Sequence, residues 1–209
     1  MLKVYHPYHL VSVSPWPLLV GGNILSLMTG MVVMFWFSEI KFLILSFLLL
    51  VVIIYMWWRD VVRESTFEGF HVSYVIKGLI FGMLLFIVSE ILFFFSFFWA
   101  FFHSGLSPNI ELGVMWPPIG IFSLNPFQVP LLNTVILLGS GISVTWAHQS
   151  IINGSFVNSM MSLLITCFLG FYFLFLQGME YFMAAFGISD SIFGSIFFVA
   201  TGFHGFHVV

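Results

Sequence analysis

Charge is scarce in this chain. Five lysines and arginines and eight aspartates and glutamates stand among 209 residues, 6% of the total. A soluble domain carries about a quarter charged residues, so this composition excludes a water-facing surface over most of the molecule. The net charge of −3, spread over so few groups, excludes a basic surface for nucleic acid. A single cysteine, Cys167, excludes a disulfide framework and any CxxC metal motif. Set in an apolar run, Cys167 is expected to be a buried, inert thiol. The opening MLKVYHPYHLVSVSPWP lacks the charged, apolar, then small pattern of a secretory signal and is not an Arg/Ser-rich transit peptide. The first span is therefore expected to serve as its own insertion signal, or the chain to be made where it is used. There is no GxSxG, no Gly-rich phosphate loop, and no carboxylate pair at catalytic spacing. No catalytic residue is assigned, and neither repeats nor low-complexity segments are present.

Apolar residues are abundant: 61% of the chain, with a mean hydropathy of +1.13, 20% aromatics and 29 phenylalanines. Several runs reach the roughly 20 residues that cross a bilayer. The expected fold is an all-α polytopic transmembrane bundle of about six spans. It forms one membrane domain over 1–209, with a two-helix hairpin at 15–58 and the remaining bundle at 75–209. Span I begins at Ser14-Pro15-Trp16-Pro17, with Ser14 as cap and Pro15 at the first helical position. A very short turn, 38–41, makes spans I and II antiparallel neighbours, and span II runs to about Trp58. Span III covers about 77–102 and carries the small-residue pair Gly78 and Gly82, which allows close helix approach. A loop at 103–127, broken by four prolines and lacking Lys and Arg, precedes span IV at about 128–149. That span holds Gly139, Ser140, Gly141, Ser143 and Thr145, a stretch suited to tight helix contact. Span V covers about 156–182, and Ser189-Asp190 caps a sixth run from Ile192 onward. The Met residues are scattered and read as gap-filling core.

With six spans, Lys3, Arg59, Arg63 and Lys77 share one side and Lys41 lies opposite. That asymmetry puts the N-terminus on the inner side.

Span III contains one carboxylate, Glu90, flanked a turn away by Phe86, Ile87, Phe93 and Phe94. Glu90 lies roughly 20 Å along the helix from Lys77, near mid-bilayer, where a carboxylate is costly to ionise. Two readings stand: a proton-linked or gating acid, or a protonated acid that hydrogen-bonds a neighbouring helix and fixes packing. The polar stretch around Trp57, Trp58, Arg59, Arg63, Glu64 and His71 also has two. It is a phospholipid-headgroup site, with guanidinium forks for phosphate and indoles at headgroup depth, or an ordinary interfacial belt of Arg59–Asp60 and Arg63–Glu64 neighbours. His204 and His207, three residues apart, supply too few ligands for zinc even with His103 and His148 in view, so no metal is assigned. They are expected to contact packing neighbours or lipid. Glu180 and Asp190 fit an exposed polar turn.

The string Trp57-Trp58-Arg59-Asp60-Val61-Val62-Arg63-Glu64-Ser65-Thr66-Phe67 resembles the hallmark of cytochrome c oxidase subunit III. The resemblance continues through Ser89-Glu90-Ile91-Leu92-Phe93-Phe94, Phe98-Trp99-Ala100-Phe101-Phe102-His103 and Trp116-Pro117-Pro118. It returns in Pro130-Leu131-Leu132-Asn133-Thr134, in Thr145-Trp146-Ala147-His148 and from Ala200 to His207, covering essentially the whole chain in order. The mitochondrial form is the nearest in character.

The resemblance implies an accessory, non-redox subunit of a respiratory haem–copper oxidase in the mitochondrial inner membrane. It implies no cofactor in this subunit, haem and copper in partner subunits, and the catalytic subunit I as neighbour. It also implies phospholipid held in a cleft between the first two helices and the rest, with Trp58, Arg63, Glu64 and His71 the residues it favours; His207, by its place on the last run, is expected to reach that cleft. Support of proton uptake and of stability during turnover follows. The family has seven helices, and here the end of the sixth and the seventh do not follow Val209, as in a fragment or a protein completed by a second polypeptide. Two rivals are an independent proton or solute transporter with Glu90 as carrier, and subunit III of a bacterial quinol oxidase.

Overall fold

A computed structural model of the chain describes residues 6–209; Lys3, used above for orientation, lies outside them. Six α-helices follow in order: α1 (Trp16–Phe37), α2 (Lys41–Thr66), α3 (Ser73–Leu106), α4 (Val129–Ile152), α5 (Phe156–Met183) and α6 (Ser191–Val208). All six are long and apolar enough to cross a membrane, and the described residues contain no strand. The chain forms two compact units, Met1–Val88 and Ser89–Val209.

In the first unit α1 and α2 form the expected antiparallel hairpin. Asn23 donates from Nδ2 to the Ser46 carbonyl at 3.0 Å, and the two residues are buried. Gly30, one heptad on, sets the approach: a Cβ there would stand 3.1 Å from Leu43 Cα. At the open end of the hairpin the Trp16 indole donates to Asp60 Oδ2 at 2.7 Å.

Several helix ends differ from expectation. Helix α1 starts at Trp16 with Pro15 in the cap position and no side-chain cap, so Ser14 does not cap it. Pro17 sits in the first turn, where a missing N–H costs nothing. Helix α2 runs on to Thr66 rather than ending near Trp58, because no Pro or Gly interrupts it before Gly69. At 26 residues it is about 39 Å long, more than the hydrocarbon core needs, so its charged last turns lie beyond the core. Asp190 does not cap α6; its Oδ2 accepts from the Gly187 N–H at 2.6 Å instead. Within the first unit the pair Gly78 and Gly82 makes no close contact: no atom among its described residues lies within 4 Å of a Cβ at either.

The second unit is built on the α4/α5 pair. Buried positions recur three, four or seven apart on α4 (Asn133, Ile136, Ser143, Ala147, Ser150) and at helical spacing on α5 (Ser162, Phe173, Leu176, Glu180). This is the seam of two antiparallel helices. Ser143 Oγ and Thr166 Oγ1 meet across it at 2.7 Å, so the hydroxyl-rich stretch does make tight contact. Cys167 falls one position off that seam and is exposed, which overturns its expected burial. Tyr181 ties α5 to α6 through Thr201, Oη to Oγ1 at 2.6 Å. As Thr201 gives its own proton to the Phe197 carbonyl, the Tyr181 hydroxyl is the donor.

Candidate functional site

The polar end of the first unit holds a cleft of about 530 Å³, lined among others by His9, Trp57, Asp60, Arg63, Glu64 and His71. Its floor is the last two turns of α2. Beyond Thr66 the chain reverses at Gly69, whose φ of +68° is the left-handed value that favours glycine. The Phe70 N–H then bonds the Glu64 carbonyl at 3.1 Å, and this fold-back brings His71 to the cleft wall. His9, from the segment before α1, stacks on Phe70 with centroids 5.2 Å apart. Its Nε2 lies 3.8 Å from Glu64 Oε2, and its ring is 5.6 Å from that of His71.

Of the residues proposed from sequence for lipid, Trp57, Arg63, Glu64 and His71 share this cleft. Trp58 is 68% exposed and points elsewhere. Arg59 is engaged with Asp60, Nη2 to Oδ1 at 3.0 Å. His9 was missed: two hundred residues with seven histidines give no local reason to single it out, and only the fold-back at Gly69 makes it a neighbour of Glu64.

Glu90 and His207 meet in the second unit, with His207 Nε2 2.6 Å from Glu90 Oε2. The aromatic rings above them set the register of α3 against α6: Phe101 on Phe193, Phe93 and Phe97 on Phe203, and Phe94 on His207. The numbers fall on one helix as they rise on the other, so the two run antiparallel. His207 Nδ1 faces the Phe203 carbonyl at 2.6 Å. A carbonyl only accepts, so Nδ1 carries a proton. The Nε2–Oε2 bond then holds one proton, either as neutral imidazole with protonated acid or as imidazolium with carboxylate. Of the two readings for Glu90, the one in which the acid hydrogen-bonds a neighbouring helix has a partner here: His207 on α6, a residue expected to contact packing neighbours or lipid.

His204 turns away from His207 and packs on Phe173. Neither of them, nor His103 or His148, joins two other possible metal ligands among the described residues. Glu180, expected in an exposed turn, is buried, 8% exposed, and faces a second cavity of about 380 Å³ together with Asn133, Gln177 and His204. Glu180 Oε1 and both amide atoms of Asn133 have no protein partner. The reason is the α4/α5 seam, which carries both residues inward at helical spacing.

Residues 6–209 match the family model described as cytochrome c oxidase subunit III. The chain is 55% identical to "Cytochrome c oxidase subunit 3" of Branchiostoma lanceolatum over 204 residues, 98% of this chain and 78% of that relative. It is 56% identical to the protein of the same name from Pisaster ochraceus, with the same coverage. Against that of Myxine glutinosa it is 53% identical over 209 residues, all of this chain and 80% of the relative.

Proposed function

On the premise that the chain belongs to the cytochrome c oxidase subunit III family, we propose that it packs beside the catalytic subunit of the respiratory oxidase. It serves there as an accessory subunit that carries no redox centre of its own. The match along residues 6–209 carries this reading. The oxidase passes electrons from cytochrome c to oxygen, with haem and copper in the partner subunits. Neither an independent transporter nor a quinol-oxidase subunit is favoured by any of the matches.

The membrane is the mitochondrial inner membrane, with the N-terminal side facing the matrix. Arg59, Arg63 and Lys77 on one side against Lys41 on the other support that orientation. Helix α3, none of whose residues is buried, offers apolar surface to lipid and to neighbouring subunits.

The cleft at the end of α2 takes a phospholipid headgroup. Asp60, Glu64 and Glu68 line it against the single guanidinium of Arg63. That balance favours a zwitterionic headgroup, with phosphate on Arg63 and ammonium on the carboxylates, over an anionic one. Trp57 seats the lipid at interfacial depth. The Glu90–His207 pair clamps α3 to α6 and keeps one proton within the bundle, holding the shape on which proton uptake by the complex depends.

Purification of the complex by a tag on this chain tests the assignment. Haem and copper spectra in the purified material, with cytochrome c oxidation by oxygen, are the expected result. A chain that purifies without them and transports protons or solute alone in liposomes would overturn it.

A further inference from the structure

We propose that His9, Glu64 and His71 form a binding site for a divalent cation of the zinc class. One ligand atom from each, two imidazole nitrogens and a carboxylate oxygen, lies within 4.8 Å of the others. Around tetrahedral zinc with bonds near 2.1 Å such atoms stand about 3.4 Å apart. Small side-chain rotations therefore close the set, without backbone movement.

The three residues come from separate segments, and each is placed by something other than its neighbours in the cluster. His9 is held by its stack on Phe70, Glu64 by α2, and His71 by the reversal at Gly69. The His9 and Glu64 side chains are only 12% and 17% exposed, so an ion there would be partly shielded from water. Asp60 and Glu68 line the same cleft and add negative potential.

Two nitrogens and one oxygen suit zinc, whereas magnesium and calcium require oxygen sets. Two histidines with one glutamate leave a fourth position open toward the cleft, which water can take. A bound ion would fasten the segment before α1 to the junction of α2 and α3. The site shares Glu64 and His71 with the lipid reading but does not rest on it, and His9 separates the two.

The test uses the assembled, purified oxidase, freed of loose metal with a chelator. Radioactive zinc is then equilibrated with it at micromolar concentration. The His9→Ala complex should bind one zinc fewer per complex than the parent. Added zinc should slow proteolysis of the N-terminal segment in the parent alone. Equal zinc in both complexes, or binding only at millimolar concentration (an adventitious ion only), overturns the proposal. If His9→Ala does not assemble, an anomalous difference map at the zinc edge of the parent complex decides, by a peak between the three side chains or none. Failure of the lipid reading, seen as unchanged lipid in Arg63→Ala, leaves these outcomes untouched.

Discussion

Glu90 and His207 are 117 residues apart in sequence and 2.6 Å apart in space, joined by a hydrogen bond that contains one proton. The same ring is anchored behind by the Phe203 carbonyl. The pair cannot rotate away without losing both contacts.

Glu90→Gln separates its two possible duties. A glutamine amide donates to a neutral Nε2 and preserves the bond, whereas Glu90→Ala leaves the imidazole without a partner. We expect the Gln complex to assemble and to resist heat like the parent. The Ala complex should lose about 1 kcal/mol, the range for such bonds within membranes. Thermal inactivation of the two purified complexes checks this. Reduced proton pumping in an intact Glu90→Gln complex would show that the pair does more than hold helices.

The Trp16–Asp60 bond closes the open end of the α1/α2 hairpin. Trp16→Phe keeps most of the ring and removes the donor to a carboxylate. The expected outcome is earlier release of the subunit, by a margin kept small because the Asp60 carboxylate is partly exposed to solvent. Heat or denaturant release of the subunit from the complex measures it. Release at the parental midpoint would mean that the bond is replaced by water at no cost.

Gly30 permits a close approach in the same hairpin. A Cβ would meet Leu43 Cα at 3.1 Å and Phe42 Cδ1 at 3.2 Å, and backbone cannot yield as a flexible side-chain end can. Gly30→Leu should therefore separate the helices and lower the yield of assembled complex, while Gly21→Leu, with open space around it, should not. Equal yields from the two variants would contradict the packing described.

Lipid content should respond to Arg63 and not to Trp58. Arg63 lines the cleft, while Trp58 is exposed away from it. Mass spectrometry of lipid retained by Arg63→Ala complexes should show the loss of one zwitterionic lipid. Trp58→Ala complexes should retain it. The reverse pattern would place the headgroup on the outer belt.

Asn133 is buried with neither amide atom bonded to protein. Replacement by a similar-sized apolar group removes polar atoms that have no protein partner, so Asn133→Leu should be neutral or mildly stabilising. A loss of more than about 2 kcal/mol in thermal stability would exceed that expectation and show that the amide serves a partner in the assembled complex.

The six spans, the all-α class and the α4/α5 contact were legible along the chain. Each depends on a local property: the apolar length of a run, a short turn that allows only one return path, or a small, hydroxyl-rich stretch within one span. The family strings were equally local. Which way each helix face turns was not legible, because lipid tails are as apolar as leucine and hydrophobic periodicity no longer marks an inside. The sequence therefore misled about Cys167, which is exposed, and about Glu180, which is buried.

From the sequence alone came a chain made for hydrocarbon, with one acid deep in its third span and a polar belt at one end. Tertiary structure alone decided that the acid holds His207 and that His9 joins Glu64 and His71. Both depend on helices and fold-backs that bring together segments far apart in the chain, contacts that no local pattern of residues announces.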